Sequence, residues 1–396
     1  MKPKILKTIL FGSVLFLSIN YANAQAVNIK QQMQNAQQQA SVMLEELDTM
    51  IIAKKAARLF PRTIENGKLK TVGGKDWTSG FFAGSLWYLY QYTGNKQWLQ
   101  KAQQFTNPLE LQKFFGGTHD LGFIIYCSFG NGFRLTHDTA YKAIIIQAAK
   151  TLITRFNPVA GVIKSWDGNL DKWTYPVIID NMMNLEMLFE ATKLSGDSSF
   201  YKVAISHANN TLKNHYRPDH SSYHVVDYNP STGQVIKKIT AQGANDTSAW
   251  ARGQAWGLYG FTMCYRETHD KKYLQQAEDI AAFILAHLPA DKVPFWDYDV
   301  LQSAPEPRDA SAAAITASAL YELSGYSKNK KLYTSTANAI LSNLSSNYLA
   351  PANTAHGFIL LHSTGHKPAK SEIDTPLSYA DYYYLEALLR SQKSKK

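Results

Sequence analysis

Cysteine is nearly absent from this sequence, whose 396 residues include only Cys127 and Cys264. Two cysteines cannot form the multi-disulfide framework of a small secreted domain. Each lies inside an apolar stretch with helical spacing, so the sequence predicts that both pack in the core. A single disulfide between them is the alternative in an oxidising compartment, although nothing in the sequence requires it.

Signatures of metal and cofactor chemistry are also missing. Eleven histidines are present, but none falls in an HExxH motif or pairs with cysteines at the spacing of a zinc site. The sequence has no glycine-rich phosphate loop, no dinucleotide-binding fingerprint and no nucleophile elbow. We therefore predict that the protein uses no metal ion and no cofactor.

Long apolar runs are scarce, and the one near the start, from Ile9 to Leu17, is too short to cross a bilayer. It follows three lysines and precedes the small residues Ala22-Asn23-Ala24. This order predicts a secretory signal peptide over residues 1–24, with an uncleaved anchor as the alternative. Residues 25–396 are then expected to form a single exported, periplasmic domain without stable membrane insertion.

Acidic residues are outnumbered, 31 against 41 lysines and arginines, so the net charge is +10. A basic surface favours anionic partners, either nucleic acid or an acidic polysaccharide. The aromatic content of 12% and the predicted export favour the polysaccharide and argue against nucleic acid. The oligomeric state does not follow from the sequence.

A helical hairpin pattern recurs along the chain: an apolar helix, a polar or glycine turn, an aromatic residue and a second amphipathic helix. The predicted helices cover residues 32–60, 79–92, 95–105, 120–129, 138–155, 178–194, 197–215, 250–267, 270–288, 309–324, 329–347 and 377–391. Twelve helices in six pairs predict an all-α fold, an (α/α)6 toroid, with an open helical solenoid as the alternative. Alternating β-branched and polar residues near 222–239 predict one inserted β-hairpin.

Two aspartates stand where predicted inner helices begin, Asp120 after Gly116-Gly117-Thr118-His119 and Asp180 after Tyr175-Pro176. The inner helices of a toroid run parallel, so their first residues share one rim and the two carboxylates are expected to face one cavity. Paired carboxylates suit acid/base chemistry on sugars, because their surroundings can separate their pKa values. The alternative is that each aspartate only caps a helix.

A cluster of two tryptophans and an arginine, Trp250, Arg252 and Trp256, opens the helix after the hairpin. An indole packs on a sugar ring and a guanidinium binds a carboxylate, so the cluster is typical of a sugar-binding wall. The alternative is a pair of core tryptophans with a surface arginine. Trp77 and Trp166 stand in similar but weaker clusters.

Five stretches carry a resemblance to the unsaturated glucuronyl hydrolases of glycoside hydrolase family 88. They are Trp77–Phe81, Thr118–Phe123, Ile179–Asn184, Ala249–Gly257 and Glu372–Tyr383, which occur in the family's order over nearly the whole mature chain. The resemblance implies the (α/α)6 barrel and an enzyme that removes a 4,5-unsaturated uronic acid from the non-reducing end of polysaccharide-lyase products. Such enzymes hydrate the vinyl ether double bond rather than attack the anomeric carbon.

The resemblance also implies roles for individual residues. Asp180 matches the general acid and base, and Asp120 matches its partner. The positions that match substrate contacts are His119, His224, Gln242, Trp250, Arg252 and Trp256, and less securely Trp77 and Trp166. Within residues 361–367, the side chains Ser363, Thr364 and Lys367 are suited to hold a sulfate beside the scissile bond, with a solvated loop as the alternative. The expected partner is an unsaturated uronate-terminated oligosaccharide.

Three other functions remain open from the sequence. An unsaturated rhamnogalacturonyl hydrolase would use the same fold and chemistry on pectin fragments. A non-catalytic sugar-binding toroid would not need both aspartates, and a sugar epimerase would need several histidines in the cavity. The sequence does not identify the parent polysaccharide.

Overall fold

The computed structural model describes residues 27–52, 59–169, 171–301 and 305–394. The predicted signal peptide, residues 1–24, lies outside the described residues. No helix of the described residues is long and apolar enough to span a membrane.

Helices dominate the described part of the chain. They are α1 Ile29–Ile52, α2 Ser79–Thr93, α3 Lys96–Thr106, α4 Asn131–Thr136, α5 Thr139–Ile153, α6 Leu185–Ser195, α7 Ser198–Asn214, α8 Ala251–Thr268, α9 Lys271–His287, α10 Ala310–Leu323, α11 Lys330–Asn347 and α12 Ser378–Ser394. A π-helical segment, Gly122–Gly130, runs directly into α4, and 3-10 turns cover Asn107–Phe114, Ile179–Asn184 and Ala355–Gly357.

The inner wall is a closed ring of six helical segments. Helix α2 packs on the 122–130 segment, which contacts α6; α6 packs on α8, α8 on α10, α10 on α12, and α12 returns to α2. An outer helix backs each inner one, namely α3, α5, α7, α9, α11 and α1. The predicted (α/α)6 toroid of helical hairpins is confirmed.

The inner and outer helices differ in how many of their residues are buried, as their compositions predict. Nearly every residue of α10, an alanine-rich inner helix, is buried, because helices pack on both of its sides. In the outer helix α11 only a stripe is buried, including Tyr333, Ala337 and Ile340. The two cysteines, Cys127 and Cys264, are buried and free, as core residues.

Small antiparallel sheets accompany the ring of helices in the described part of the chain. Strands β1 Phe60–Glu65 and β2 Lys68–Val72 form an antiparallel hairpin, and β3 Phe156–Asn157 pairs with β4 Val162–Ile163. The predicted hairpin is confirmed as β6 Val225–Tyr228 and β7 Val235–Ile239, and β5 Pro176–Ile178 adds a third strand beside β6.

Two helix boundaries predicted from the sequence are wrong. The helix predicted from Ile178 begins only at Leu185, because β6 pairs with Ile178 and a 3-10 turn follows. The first helix was predicted to reach residue 60, but Phe60 starts β1 and pairs with Val72. In both places strand pairing overrides the local helical spacing, with β6 in the first case and with the adjacent β2 in the second.

The 122–130 segment is π-helical where an α-helix was expected. Its first residue, Gly122, packs against the next inner segment so closely that a Cβ would lie 2.6 Å from Asn184 Cα. The Asn184 side chain accepts a hydrogen bond of 3.1 Å from the backbone N–H of Phe123. Glycine is therefore required for this close approach, which fixes the position of the preceding Asp120.

Candidate active site

The N-terminal ends of the inner helices surround a cavity of about 200 Å³. Seven residues predicted from the sequence line it: Trp77, His119, Asp120, Trp166, Asp180, Gln242 and Arg252. His224, Trp250 and Trp256 are buried within the wall behind them. The tertiary structure thus brings together residues that are spread over most of the chain.

Asp180 lies in the 3-10 turn that precedes α6 and is 8% exposed. Burial raises the pKa of its carboxyl to about 7, against the opposing Arg252 guanidinium and with help from the negative charge of Asp120. Asp180 caps neither helix, because the cap position of the 3-10 turn is Ile178 and that of α6 is Asn184. It is a carboxylic acid that remains partly protonated at neutral pH.

Asp120 and His119 lie side by side in the wall. His119 Nε2 lies 3.2 Å from Asp120 Oδ1 without the geometry of a hydrogen bond, and the other oxygen of Asp120 accepts a 2.8 Å hydrogen bond from Thr118 Oγ1. Burial lowers the pKa of His119, although the neighbouring carboxylate of Asp120 pulls in the opposite direction. Asp120 makes no cap bond to the π-helical segment, so the capping alternative fails here as well.

The tautomer of His224 follows from its hydrogen bonds. Its Nδ1 accepts from the backbone N–H groups of Ala241, at 3.0 Å, and Gln242, at 3.1 Å. The proton of the neutral ring must therefore sit on Nε2. That nitrogen lies 3.7 Å from Asp180 Oδ1, and burial lowers the pKa of the imidazole, which keeps it neutral.

Arg252 is buried rather than exposed, with 1% of its surface accessible. Its Nη1 donates to Asp309 Oδ2 at 2.8 Å and to the backbone oxygen of Thr364, and its Nη2 donates to that of Gly365 at 2.5 Å. Only Nε lacks a protein partner. Two nitrogens of the guanidinium therefore hold Asp309 and the backbone of residues 364 and 365, and the Nε–H remains free to donate to a ligand.

The tryptophans form two aromatic walls. Trp77 packs on Tyr379, with ring centroids 4.9 Å apart. On the other wall Trp166 contacts the His224 ring at 5.9 Å, and Trp250 lies beneath it at 4.7 Å. Trp77 and Trp166 line the cavity itself, whereas Trp250 supports His224 and Arg252 from behind.

The 361–367 segment reaches the cavity, but not through the side chains predicted to hold a sulfate. Ser363 and Thr364 are buried, and Thr364 Oγ1 donates to the Arg308 backbone oxygen at 2.8 Å. The Lys367 ammonium pairs with Glu306 and lies 5.0 Å above the Trp296 ring, away from the cavity lining. The cavity is lined instead by Gly365 and His366.

Several lining residues were not predicted from the sequence. They are Arg62 from β1, His366 and Glu372 from the irregular hairpin formed by residues 363–375, and Tyr379 from the start of α12. Glu372 and Tyr379 belong to the stretch Glu372–Tyr383, whose family resemblance could have indicated that they line the site. Nothing in the sequence indicated Arg62, because only the pairing of β1 with β2 and with Leu377 brings it to this rim.

Unpartnered polar atoms converge on the cavity. Buried atoms without a protein hydrogen-bond partner include His119 Nε2, Asp180 Oδ1, His224 Nε2, Arg252 Nε and the Tyr379 hydroxyl. An unpaired buried polar group costs about 1–3 kcal/mol, so such a concentration indicates a site that completes its hydrogen bonds with a polar ligand. No group of three or more His, Cys, Asp or Glu side chains in the described ranges could hold a metal ion.

Residues 52–387 match Glycosyl Hydrolase Family 88. The chain belongs to this family. It is 46% identical over 395 residues to the unsaturated glucuronyl hydrolase of Formosa agariphila, covering 98% of both proteins. It is 32% identical to the unsaturated chondroitin disaccharide hydrolase of Streptococcus agalactiae, covering 83% of this chain and 84% of the relative.

Solved structures agree with the sequence comparison. A crystal structure of an unsaturated glucuronyl hydrolase specific for heparin superposes with a TM-score of 0.87 at 46% identity, covering 93% of this chain and 97% of the other. The predictions of the family, the toroid fold and a glycoside hydrolase are confirmed. Removal of an unsaturated uronic acid from oligosaccharides is the activity that this membership supports.

Proposed function

We propose that this enzyme hydrates the double bond of a 4,5-unsaturated uronate at the non-reducing end of an oligosaccharide, with Asp180 as the general acid and base. The observation that carries the proposal is the Asp180 carboxyl, which lines the cavity, is 8% exposed and has a pKa raised to about 7. Proton transfer works best when the pKa of the catalytic group lies near the working pH.

In the first step the protonated Asp180 carboxyl gives its proton to carbon 4. The π electrons of the double bond form the new C–H bond, and the positive charge at carbon 5 is shared with the ring oxygen. A water molecule then attacks carbon 5 and loses a proton to the Asp180 carboxylate. The hemiketal opens, and the next sugar is released from carbon 1.

The neighbours of Asp180 keep it suited to both proton transfers. The negative charge of Asp120 raises the pKa of Asp180 and so favours the acid form, whereas Arg252 favours the carboxylate. The Nε2–H of His224 faces the same carboxylate from 3.7 Å. We assign His119 and His224 as donors to the sugar hydroxyls or the carboxylate of the substrate, since their Nε2 atoms lack protein partners.

The cavity wall supplies the remaining substrate contacts in this proposal. Trp77 and Trp166 offer faces for sugar rings, while the side chain of Gln242 and the free Nε of Arg252 offer polar contacts. Trp250 acts by packing, since it is 3% exposed, whereas the buried indole N–H of Trp256 faces the Asp180 carboxyl and favours its ionised form. The parent polysaccharide is any acidic chain that a lyase leaves with this terminal uronate.

The decisive experiment follows the loss of the ultraviolet absorbance of the conjugated double bond. Purified enzyme is given unsaturated disaccharides derived from chondroitin, heparin and ulvan, and unsaturated rhamnogalacturonan fragments beside them. Loss of absorbance with release of the neighbouring sugar is expected for uronates linked to glycosaminoglycan-type sugars. Turnover of the rhamnogalacturonan fragments alone would favour the pectin enzyme, and binding without turnover would indicate a sugar-binding toroid.

We also propose that the enzyme is exported to the periplasm, on the charge and apolar pattern of residues 1–24. Expression of the full chain and of a chain without residues 1–24, followed by cell fractionation, tests it. Activity in the periplasmic fraction is expected only for the full chain, with the mature protein beginning at Gln25.

A further inference from the structure

Arg62 stands at the cavity between two carboxylates. Its Nε and Nη2 bind both oxygens of Glu372, the Nη2 bond being 3.0 Å, and its Nη1 binds Asp76 Oδ2 at 2.8 Å. Every nitrogen of the guanidinium is thereby used inside the protein. One positive charge faces two negative charges, so this corner of the cavity carries a net charge of about −1.

Glu372 is held in this position by the 363–375 hairpin. Its backbone oxygen accepts a 2.6 Å hydrogen bond from the Gly365 N–H, and its carboxylate rests directly on Gly365, where a Cβ would lie 2.4 Å from Oε2. Only 5% of the Glu372 side chain is exposed, so little water screens its charge from the cavity.

The charge of the cavity differs from that of the whole chain. The chain carries a net charge of +10, yet the cations that line the described cavity are Arg62 and Arg252, and each is already paired with a carboxylate. The lining also contains the acids Asp120, Asp180 and Glu372. An additional negative charge entering this cavity therefore finds no unpaired cation.

We propose that Glu372 is a specificity-determining residue that selects against a leaving sugar bearing a sulfate or another negative charge. By occupying Arg62, its carboxylate removes the guanidinium as an anion partner and leaves a repulsive wall. Glu372 acts on the choice of substrate and takes no part in proton transfer.

The leaving sugar is the part of the substrate that meets this wall. This step rests on the proposed function, in which the terminal uronate must reach Asp180, whose side chain is 11% exposed. Arg62 and Asp76 are more exposed, at 22% and 21%, and lie nearer the solvent, whereas Glu372 is 5% exposed and acts through its ion pair with Arg62. The next sugar therefore remains beside the Arg62 end of this ion pair while the terminal ring occupies the deeper part of the cavity. Because the uronate's own carboxylate is common to all substrates, it cancels from a comparison between leaving sugars.

The test compares three unsaturated disaccharides that differ only at carbon 6 of the N-acetylgalactosamine, which carries a hydroxyl, a sulfate or an uncharged methyl ether. We expect kcat/KM of the wild-type enzyme to be highest for the first, with the methyl ether much closer to it than the sulfate. In Glu372→Gln the preference for the unsulfated over the sulfated substrate should fall about tenfold, equivalent to about 1.4 kcal/mol. Raising the salt from about 0.05 to about 0.5 M should weaken the wild-type preference only slightly, because the Glu372 side chain is buried.

Asp374→Asn provides the matched control, because it removes a carboxylate two residues away in the same hairpin. Asp374 is bound to His362 on the outer side, and its side chain is 57% exposed. This variant should keep the wild-type preference.

The proposal is overturned if Glu372→Gln loses activity on all three substrates equally, or if the methyl ether is rejected as strongly as the sulfate. Should Glu372→Gln not fold, equal rejection of the methyl ether and the sulfate by the wild-type enzyme overturns it. If no substrate is consumed at all, the proposed function itself fails.

Discussion

His224 Nε2 lies 3.7 Å from Asp180 Oδ1, and the hydrogen bonds at Nδ1 make this nitrogen a donor. The separation is longer than a hydrogen bond, so the imidazole stabilises the carboxylate only weakly. Burial favours the protonated carboxyl more strongly, and the pKa of Asp180 is raised to about 7. This balance allows one carboxyl group to release a proton and take one back within a single turnover.

Asp180→Asn should abolish turnover. The amide has nearly the same shape, but it can neither protonate carbon 4 nor accept a proton from water. Loss of one general acid or base costs about 10²–10⁴-fold in rate, and here both steps depend on the same group, so the loss should exceed that range. Loss of double-bond absorbance measures it, with unchanged circular dichroism as the folding control. Near wild-type turnover would exclude Asp180 from the mechanism.

The same substitution should stabilise the protein at alkaline pH. Because the folded-state pKa is about 7, against about 3.9 for an unperturbed aspartate, the folded protein binds more protons between these values. Stability is therefore lost as pH rises from about 4 to about 7, by up to roughly 4 kcal/mol. Urea unfolding should show Asp180→Asn to be more stable than wild type at pH 8 and similar to it near pH 4. Equal stability of the two proteins at pH 8 would contradict the raised pKa.

Asp120→Asn should shift the pH profile of the residual activity. Removing the Asp120 charge removes a cause of the raised Asp180 pKa, so the acid form of Asp180 is lost at a lower pH. The falling limb of kcat/KM against pH should therefore move to lower pH than in the wild type. A purely structural role for Asp120 would lower the profile without displacing it.

Arg252→Ala should reduce stability as well as substrate binding. The substitution leaves the buried Asp309 without its ion-pair partner and releases the carbonyl groups of Thr364 and Gly365. Breaking a buried pair in this way costs about 3–5 kcal/mol. The temperature of thermal unfolding should fall and KM should rise, and Arg252→Lys should recover part of the stability. A variant with wild-type unfolding and kinetics would show that the anchoring contacts are unimportant.

Lys367→Ala should leave the preference between sulfated and unsulfated disaccharides unchanged. The Lys367 ammonium pairs with Glu306 outside the cavity, and a surface ion pair of this kind contributes about 0–1 kcal/mol. Kinetics on both substrates should stay within about twofold of the wild type. A selective loss on the sulfated substrate would restore the role predicted from the sequence for this residue.

The sequence alone determined the helical toroid, because its apolar spacing and turn residues repeat in pairs that can bury their faces only against neighbouring pairs. It also predicted that Asp120 and Asp180 face one cavity, which both line, because both precede inner segments whose first residues share one rim. The inserted hairpin was visible too, through its alternating β-branched residues. These features depend on local patterns that the chain displays at each position.

Only the tertiary structure decided which side chains reach the cavity and in which protonation state. Arg252 and Lys367 looked available for anionic groups, but Asp309 and Glu306, which are distant in sequence, occupy them. Arg62 joins the rim only through strand pairing, and Ile178 became part of a strand for the same reason. The pKa of Asp180 depends on burial and on charges brought together by the closed ring, quantities that exist only after distant segments pack.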